Sequence, residues 1–370
     1  MKPPEGASRI KLSRWAMPVS FVLALAFFVY AWMLALVPLG DSDLWFHLKN
    51  GQYILETHSL PGPEDPYGFT LEGITLEGSR LAGLRSQWLG QVFLYSVYNT
   101  FGPSGLSAFR ALLALLPFMI IVLPGAFRGD RPMNVLLKIV VVGPPALIAA
   151  MFLNVSYERP QAFSFLFACM VLVILDRLRR PDRLHQEDSS IPWLWAVSLP
   201  AVMVLWSNTH GGYIIGVIMI SLWASGELLA LIARNMGLRF SHYLEEPPKH
   251  AKRFFIVCLL GILAAGLNPG GFLQVKMALG IFGGLLSEGG KTAAGDPSVL
   301  LNVIEYKPLL FFYRSLGHDW TLFAVAFYFI SIISIALTSW SQRSLMLPAV
   351  FVAVFVVWFG LAYFRGVLFA

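Results

Sequence analysis

Charge is scarce in this sequence. Only 13% of its 370 residues are Asp, Glu, Lys or Arg, roughly half the share carried by soluble globular domains, so water is not the chain's main solvent. Cysteine is scarcer still. Cys169 and Cys258 both sit inside apolar runs, where a thiol behaves as a small hydrophobe, and no disulfide framework is indicated. No internal repeat of fixed period stands out. The one low-complexity feature, Gly283, Gly284, Gly289 and Gly290, reads as a loop. The formal charge of +6 does not point to nucleic acid, because the Lys and Arg residues are scattered through short loops between apolar runs and form no single soluble face.

Apolar residues fill the space that charge leaves, at 57% of the chain. About 20 of them span the hydrocarbon core of a bilayer as a helix. Runs of that order, bounded by charge, Pro or Gly, fall near 15–39, 104–126, 133–153, 160–176, 191–207, 212–233, 254–268, 320–339 and 345–363. They predict an all-α polytopic bundle of about nine transmembrane spans, taken as a single domain over 1–370 in a lipid bilayer. The first run is too long and too uniformly apolar for a secretory core, and no small-x-small site follows it, so it is expected to remain as an anchor.

Lys2, Arg9, Lys11 and Arg14 precede the first span, which predicts a cytoplasmic N-terminus. Alternation then places Arg128 and Arg131, the Arg177–Arg183 group, Arg234 to Arg253, and Arg343 in short basic cytoplasmic loops. Two long segments of mixed charge, 41–103 and 268–319, fall on the other side. Within the first, Trp88 to Tyr98 reads as a short aromatic helix lying at the interface. Within the second, Phe272 to Leu286 reads as interfacial or re-entrant.

The candidate chemistry gathers on that non-cytoplasmic side. Asp41-Ser42-Asp43-Leu44-Trp45-Phe46-His47 follows the first span. Two carboxylates two residues apart, with an imidazole four residues beyond Asp43, suit a general base, or a divalent cation such as Mg or Mn held by Asp43 and His47. The plainer reading is that Asp41 or Asp43 caps the next helix while Trp45 marks the interface. Asp65, in Pro63-Glu64-Asp65-Pro66, adds a second acidic cluster or an ordinary proline-fixed turn. Gln87-Trp88 offers a stacking platform for a sugar ring, or an interface Trp. Arg159, after Glu158, could grip a lipid-linked phosphate bidentately, or simply pair with Glu158. His210, in Asn208-Thr209-His210-Gly211-Gly212, is a ligand contact or a partner for a helix end. Glu305 closes the second long segment, and Arg365 follows the last run on the same side.

Taken as ordered blocks, these residues resemble a family. Asp41, Asp43, Trp45, His47, Gly51, Ile54, Leu55, Pro61, Asp65, Pro66, Phe69, Thr70, Gln87, Trp88 and Arg110 are similar to the N-terminal third of bacterial membrane proteins related to GT-C glycosyltransferases. Arg159-Pro160-Gln161, the Asn208 block, Leu267-Asn268-Pro269 and Arg365 extend the likeness. The resemblance implies a GT-C-like fold in a bacterial inner (plasma) membrane. It further implies an enzyme that takes a sugar from a polyprenyl-phosphate or polyprenyl-diphosphate carrier at the extracytoplasmic face, with Asp41 or Asp43 as base or metal ligand. The chain closes at Ala370 without the large soluble C-terminal domain of some relatives, which reads as a compact form or as one whose site a partner membrane subunit completes. Two other functions compete: a non-catalytic assembly or scaffold subunit of an envelope glycan system, and a transporter of lipid-linked glycan, whose ionisable groups would lie at mid-membrane on broken helices.

Overall fold

The computed structural model describes residues 16–64, 73, 75–127, 132–152, 158–180, 193–286, 333, 336 and 344–362. Among them every regular element is helical, and strand-like pairing is limited to two isolated bridges, Glu64 with Thr75 and Leu244 with Leu345. The helices are α1 (Ala16–Ala35), α2 (Asp43–Thr57), α3 (Gly78–Arg85), α4 (Trp88–Phe127), α5 (Pro132–Phe152), α6 (Ala162–Arg179), α7 (Trp193–Thr209), α8 (Tyr213–Asn235), α9 (Ala251–Ala264), α10 (Gly271–Leu286) and α11 (Leu347–Ala362), with a 3-10 turn at Arg239–Tyr243.

Among the described residues, three stretches are long and apolar enough to cross a membrane: Pro18–Ala35, Leu81–Pro124 and Tyr213–Asn235. Pro132–Leu147 and Leu347–Trp358 are shorter apolar helices. The expected run near 320–339 lies outside the described residues apart from 333 and 336. The other expected runs coincide with helices, of which α9 and α11, at 14 and 16 residues, are the shortest. The aromatic segment from Trp88 and the run from 104 are two helical stretches, as expected, joined within α4 across a break at Gly102, whose φ of 66° and ψ of −170° are not helical. Glycine reaches that conformation without a Cβ clash, and Pro103 then starts the next helical stretch where its missing N–H costs nothing.

The chain divides into two compact units, Met1–Asp41 with Val97–Glu158, and Ser42–Ser96 with Arg159–Ala370. In the first, α1 packs against α5. Ser20, Ala24, Phe28, Ala31 and Ala35 are buried, at spacings of three and four residues, which puts them on one helical stripe. Facing groups on α5 are Val135, Ala146 and Ala150, and Ala111, Leu115, Val122 and Ala126 of α4 join the same cluster. The larger apolar side chains point outward: Val22, Tyr30 and Met33 on α1, and Leu137, Val140 and Val141 on α5. Small residues inside and large apolar ones outside is the arrangement of helices packed in lipid, where close backbone approach replaces the hydrophobic drive available in water. This surface fits a bilayer environment.

In the second unit α7 packs on α6 and α9, while α8 packs on α6, α9 and α11. Glycine again sets the approach: a Cβ at Gly226 would lie 2.6 Å from the backbone nitrogen of Pro348. The C-terminal end of α6 is tied down by charge. Arg179 pairs with Glu227 of α8, reaches Glu245 Oε2 at 2.7 Å, and donates to the Glu246 carbonyl at 2.8 Å. Arg180 meets the same Glu245 oxygen at 2.9 Å. These groups form one connected, largely buried network in which Glu227 Oε2 keeps no hydrogen-bond partner among the described residues.

Candidate functional site

Asp41 and Asp43 fall in different units, and each has its partners within its own. In the first unit, the Glu158 carboxylate accepts from the backbone N–H groups of Gly40, at 2.9 and 3.1 Å, and of Asp41, at 2.7 Å. Its own charge is met by Arg110, whose guanidinium also donates to the Val37 carbonyl at 2.6 Å. Glu158 is therefore not the partner of Arg159. In the second unit, Arg159 Nη1 lies 2.9 Å from Asp43 Oδ2, and the Asp43 side chain keeps 56% of its surface exposed. Ser42 stands at the N-cap position of α2 without a side-chain capping hydrogen bond.

Asp43 opens α2 and His47 follows one turn later, so both lie on one helical face. His47 is buried, and Gln91 Nε2 donates to its Nδ1 at 3.2 Å. An amide NH2 only donates, so that ring nitrogen carries the lone pair and the proton sits on Nε2. Helices α2 and α4 meet here at backbone contact: a Cβ on Gly51 would fall 2.2 Å from the Gln91 carbonyl oxygen. Gly90 repeats the device, since its Cβ would lie 2.7 Å from the Thr209 carbonyl oxygen and 2.9 Å from the Pro160 Cβ. Absent side chains thus let the first turn of α4 touch the residues beside Arg159 and His210.

Trp88 is anchored through its indole N–H, which donates to Asn208 Oδ1 at 2.8 Å; Asn208 in turn donates to the Leu267 carbonyl at 2.7 Å. That bond serves the helix junction, and the ring is partly buried. Gln87 precedes it, with its carbonyl accepting from the Gln91 N–H at 2.9 Å. His210 serves a helix end: Gly212 N–H donates to its Nδ1 at 2.9 Å, and Ser164 Oγ lies 2.8 Å from the same nitrogen. Because the Trp206 indole donates to Ser164 at 2.8 Å, the chain of donors runs from Trp206 through Ser164 to His210, again leaving the ring proton on Nε2. The two long segments meet where α3 packs on α10, and Gln274 of α10 donates to the Ser207 carbonyl at 3.2 Å. Asp65, Glu305 and Arg365 lie outside the described residues.

A divalent cation at Asp43 and His47 needs more than these two donors. Among the described residues no group of three His, Cys, Asp or Glu side chains gathers at ligand spacing. Asp43 faces Arg159, and the Nδ1 lone pair of His47 is taken by Gln91. Among the described residues, these two side chains fall short of the ligand set that Mg or Mn needs.

Sequence reasoning missed Gln91, Ser164 and Asn50. The i, i+4, i+7 spacing of Asp43, His47 and Asn50 was the signal available for the last. No protein-family model matches the chain, and neither a curated protein nor a solved structure does.

Proposed function

We propose that the protein is a polytopic membrane glycosyltransferase that moves a sugar from a polyprenyl-(di)phosphate carrier to an acceptor at the non-cytoplasmic face, with about nine spans and a cytoplasmic N-terminus. The observation that carries this reading is the Asp43–Arg159 pair. It joins a carboxylate to a guanidinium at 2.9 Å on a half-exposed rim, and the chain around it has apolar helices long enough to cross a membrane.

In this reading the resting pair is a latch. A carrier phosphate competes for the guanidinium, whose fork matches phosphate oxygens, and frees the Asp43 carboxylate. Asp43 then takes the proton of the acceptor hydroxyl as its oxygen attacks the anomeric carbon. The bond from that carbon to the phosphate oxygen breaks, and the electron pair leaves with the phosphate, where Arg159 meets the charge. Glu158 and Arg110 hold the backbone of the turn, and His47 packs one helical turn below the base.

The transporter alternative places ionisable groups in the spans. Arg110 and Glu227 do lie within apolar helices, yet each is matched by an opposite charge, which supports a tie between helices more than a path for cargo. The experiment is reconstitution of the purified chain in liposomes with radiolabelled polyprenyl-phosphate hexoses and pentoses. Appearance of free polyprenyl phosphate together with a labelled acceptor product supports the proposal. Intact carrier with every sugar tested, or intact carrier moved across the bilayer, overturns it.

A further inference from the structure

Asn50 is fully buried, and neither its Oδ1 nor its Nδ2 has a hydrogen-bond partner. Gln91, 2% exposed, leaves its Oε1 unmet as well. Buried orphaned amides destabilise a fold, and a native chain that keeps one needs a reason for it. The same helix buries apolar residues readily: Leu44, Leu48 and Ile54 of α2 are all buried, and Ile54 stands one turn from Asn50. Asn50 also continues a stripe. With Asp43 and His47 it stands at i, i+4 and i+7, on one face of α2, and His47 is bonded to the same Gln91 whose oxygen is unmet.

The unmet set has a definite chemistry. Two acceptors, Asn50 Oδ1 and Gln91 Oε1, stand against one donor group, Asn50 Nδ2. An anion would meet two repelling carbonyl oxygens, and an apolar ligand would leave all three atoms unsatisfied. Hydroxyl groups both donate and accept.

We infer that this face of α2, Asn50 with the adjoining Gln91, binds neutral vicinal hydroxyls and so reads the sugar of the carrier whose phosphate goes to Arg159. The assignment of the hydroxyls to a carrier sugar rests on the function proposed above; the hydroxyl site itself does not. The atoms are sealed from solvent in this conformation, with the Asp43–Arg159 pair at the exposed end of the stripe.

The test uses the full chain in lipid nanodiscs with decyl phosphate, decyl-phosphoryl glucose, mannose and galactose, and the matching decyl glycosides below their micelle concentrations. At least one sugar phosphate is expected to bind about tenfold more tightly than decyl phosphate, the scale of a small set of net hydrogen bonds. Asn50→Leu is expected to erase that preference, leave decyl phosphate binding unchanged, and keep or raise the thermal midpoint because an orphaned amide is gone. Asn50→Ser, too short to reach the same hydroxyls, is expected to erase it too. A preference that survives both variants, or a lowered midpoint with the preference intact, overturns the site. If no phosphate probe binds while glycoside binding still depends on Asn50, the carrier reading fails and the hydroxyl site stands. If neither glycosides nor sugar phosphates bind better than decyl phosphate, the hydroxyl site fails alone.

Discussion

Arg110 and Glu158, 48 positions apart, form an ion pair whose side chains are 1% and 0% exposed. The carboxylate spends its remaining capacity on the backbone N–H groups of Gly40 and Asp41. A buried charge that loses its partner costs about 3–5 kcal/mol, whereas removing both charges costs far less. Arg110→Met and Glu158→Gln are each expected to destabilise the protein on that scale. The double variant is expected to fall well short of the sum. Unfolding titrations in mixed micelles measure all three, and additive losses would mean that the two groups do not work as a pair.

Glycines at two contacts make a second prediction. Gly51→Ala and Gly90→Ala press a methyl group into the Gln91 and Thr209 carbonyl oxygens, at 2.2 and 2.7 Å. Overpacking of this kind typically costs about 1–3 kcal/mol. Gly62→Ala and Gly211→Ala meet nothing within 4 Å and are expected to leave the thermal midpoint nearly unchanged. Equal effects across the four variants would deny that α2 and α4 meet at backbone contact.

Sidedness gives a third. Basic loops alternate along the chain, so single cysteines at Ser79 and Ser189 are expected to react with an impermeant thiol reagent from opposite faces of the membrane. Reaction of both from the same face would undo the orientation, and with it the shared face of the candidate residues.

Much of the helical layout was legible because it rests on local pattern. Runs of apolar residues mark α1, α5, α7 and α8, and the aromatic segment from Trp88 read apart from the run at 104 agrees with the break at Gly102. Asp43 and His47 could be placed on one face from their spacing alone. What the sequence could not give was partner choice. Glu158 stands beside Arg159, and adjacency suggests a pair, but tertiary contacts send Glu158 to Arg110 and Arg159 to Asp43. His210 was readable as a helix-end partner, yet Ser164, whose hydroxyl meets its ring nitrogen, lies 46 positions away, too distant in sequence to be linked by pattern.

Asp43 as the base that accepts the acceptor proton is the central claim, and turnover of a polyprenyl-linked sugar by Asp43→Asn tests it most directly. The variant keeps the side chain's size and removes its charge, and a positioned general base contributes about 10² to 10⁴ in rate. Asp41→Asn, whose backbone N–H remains held by Glu158, is expected to lose much less. A fall in turnover of about a hundredfold or more in Asp43→Asn, with carrier still bound, is the result the account predicts; transfer by folded, inserted Asp43→Asn at the unmodified rate would contradict it.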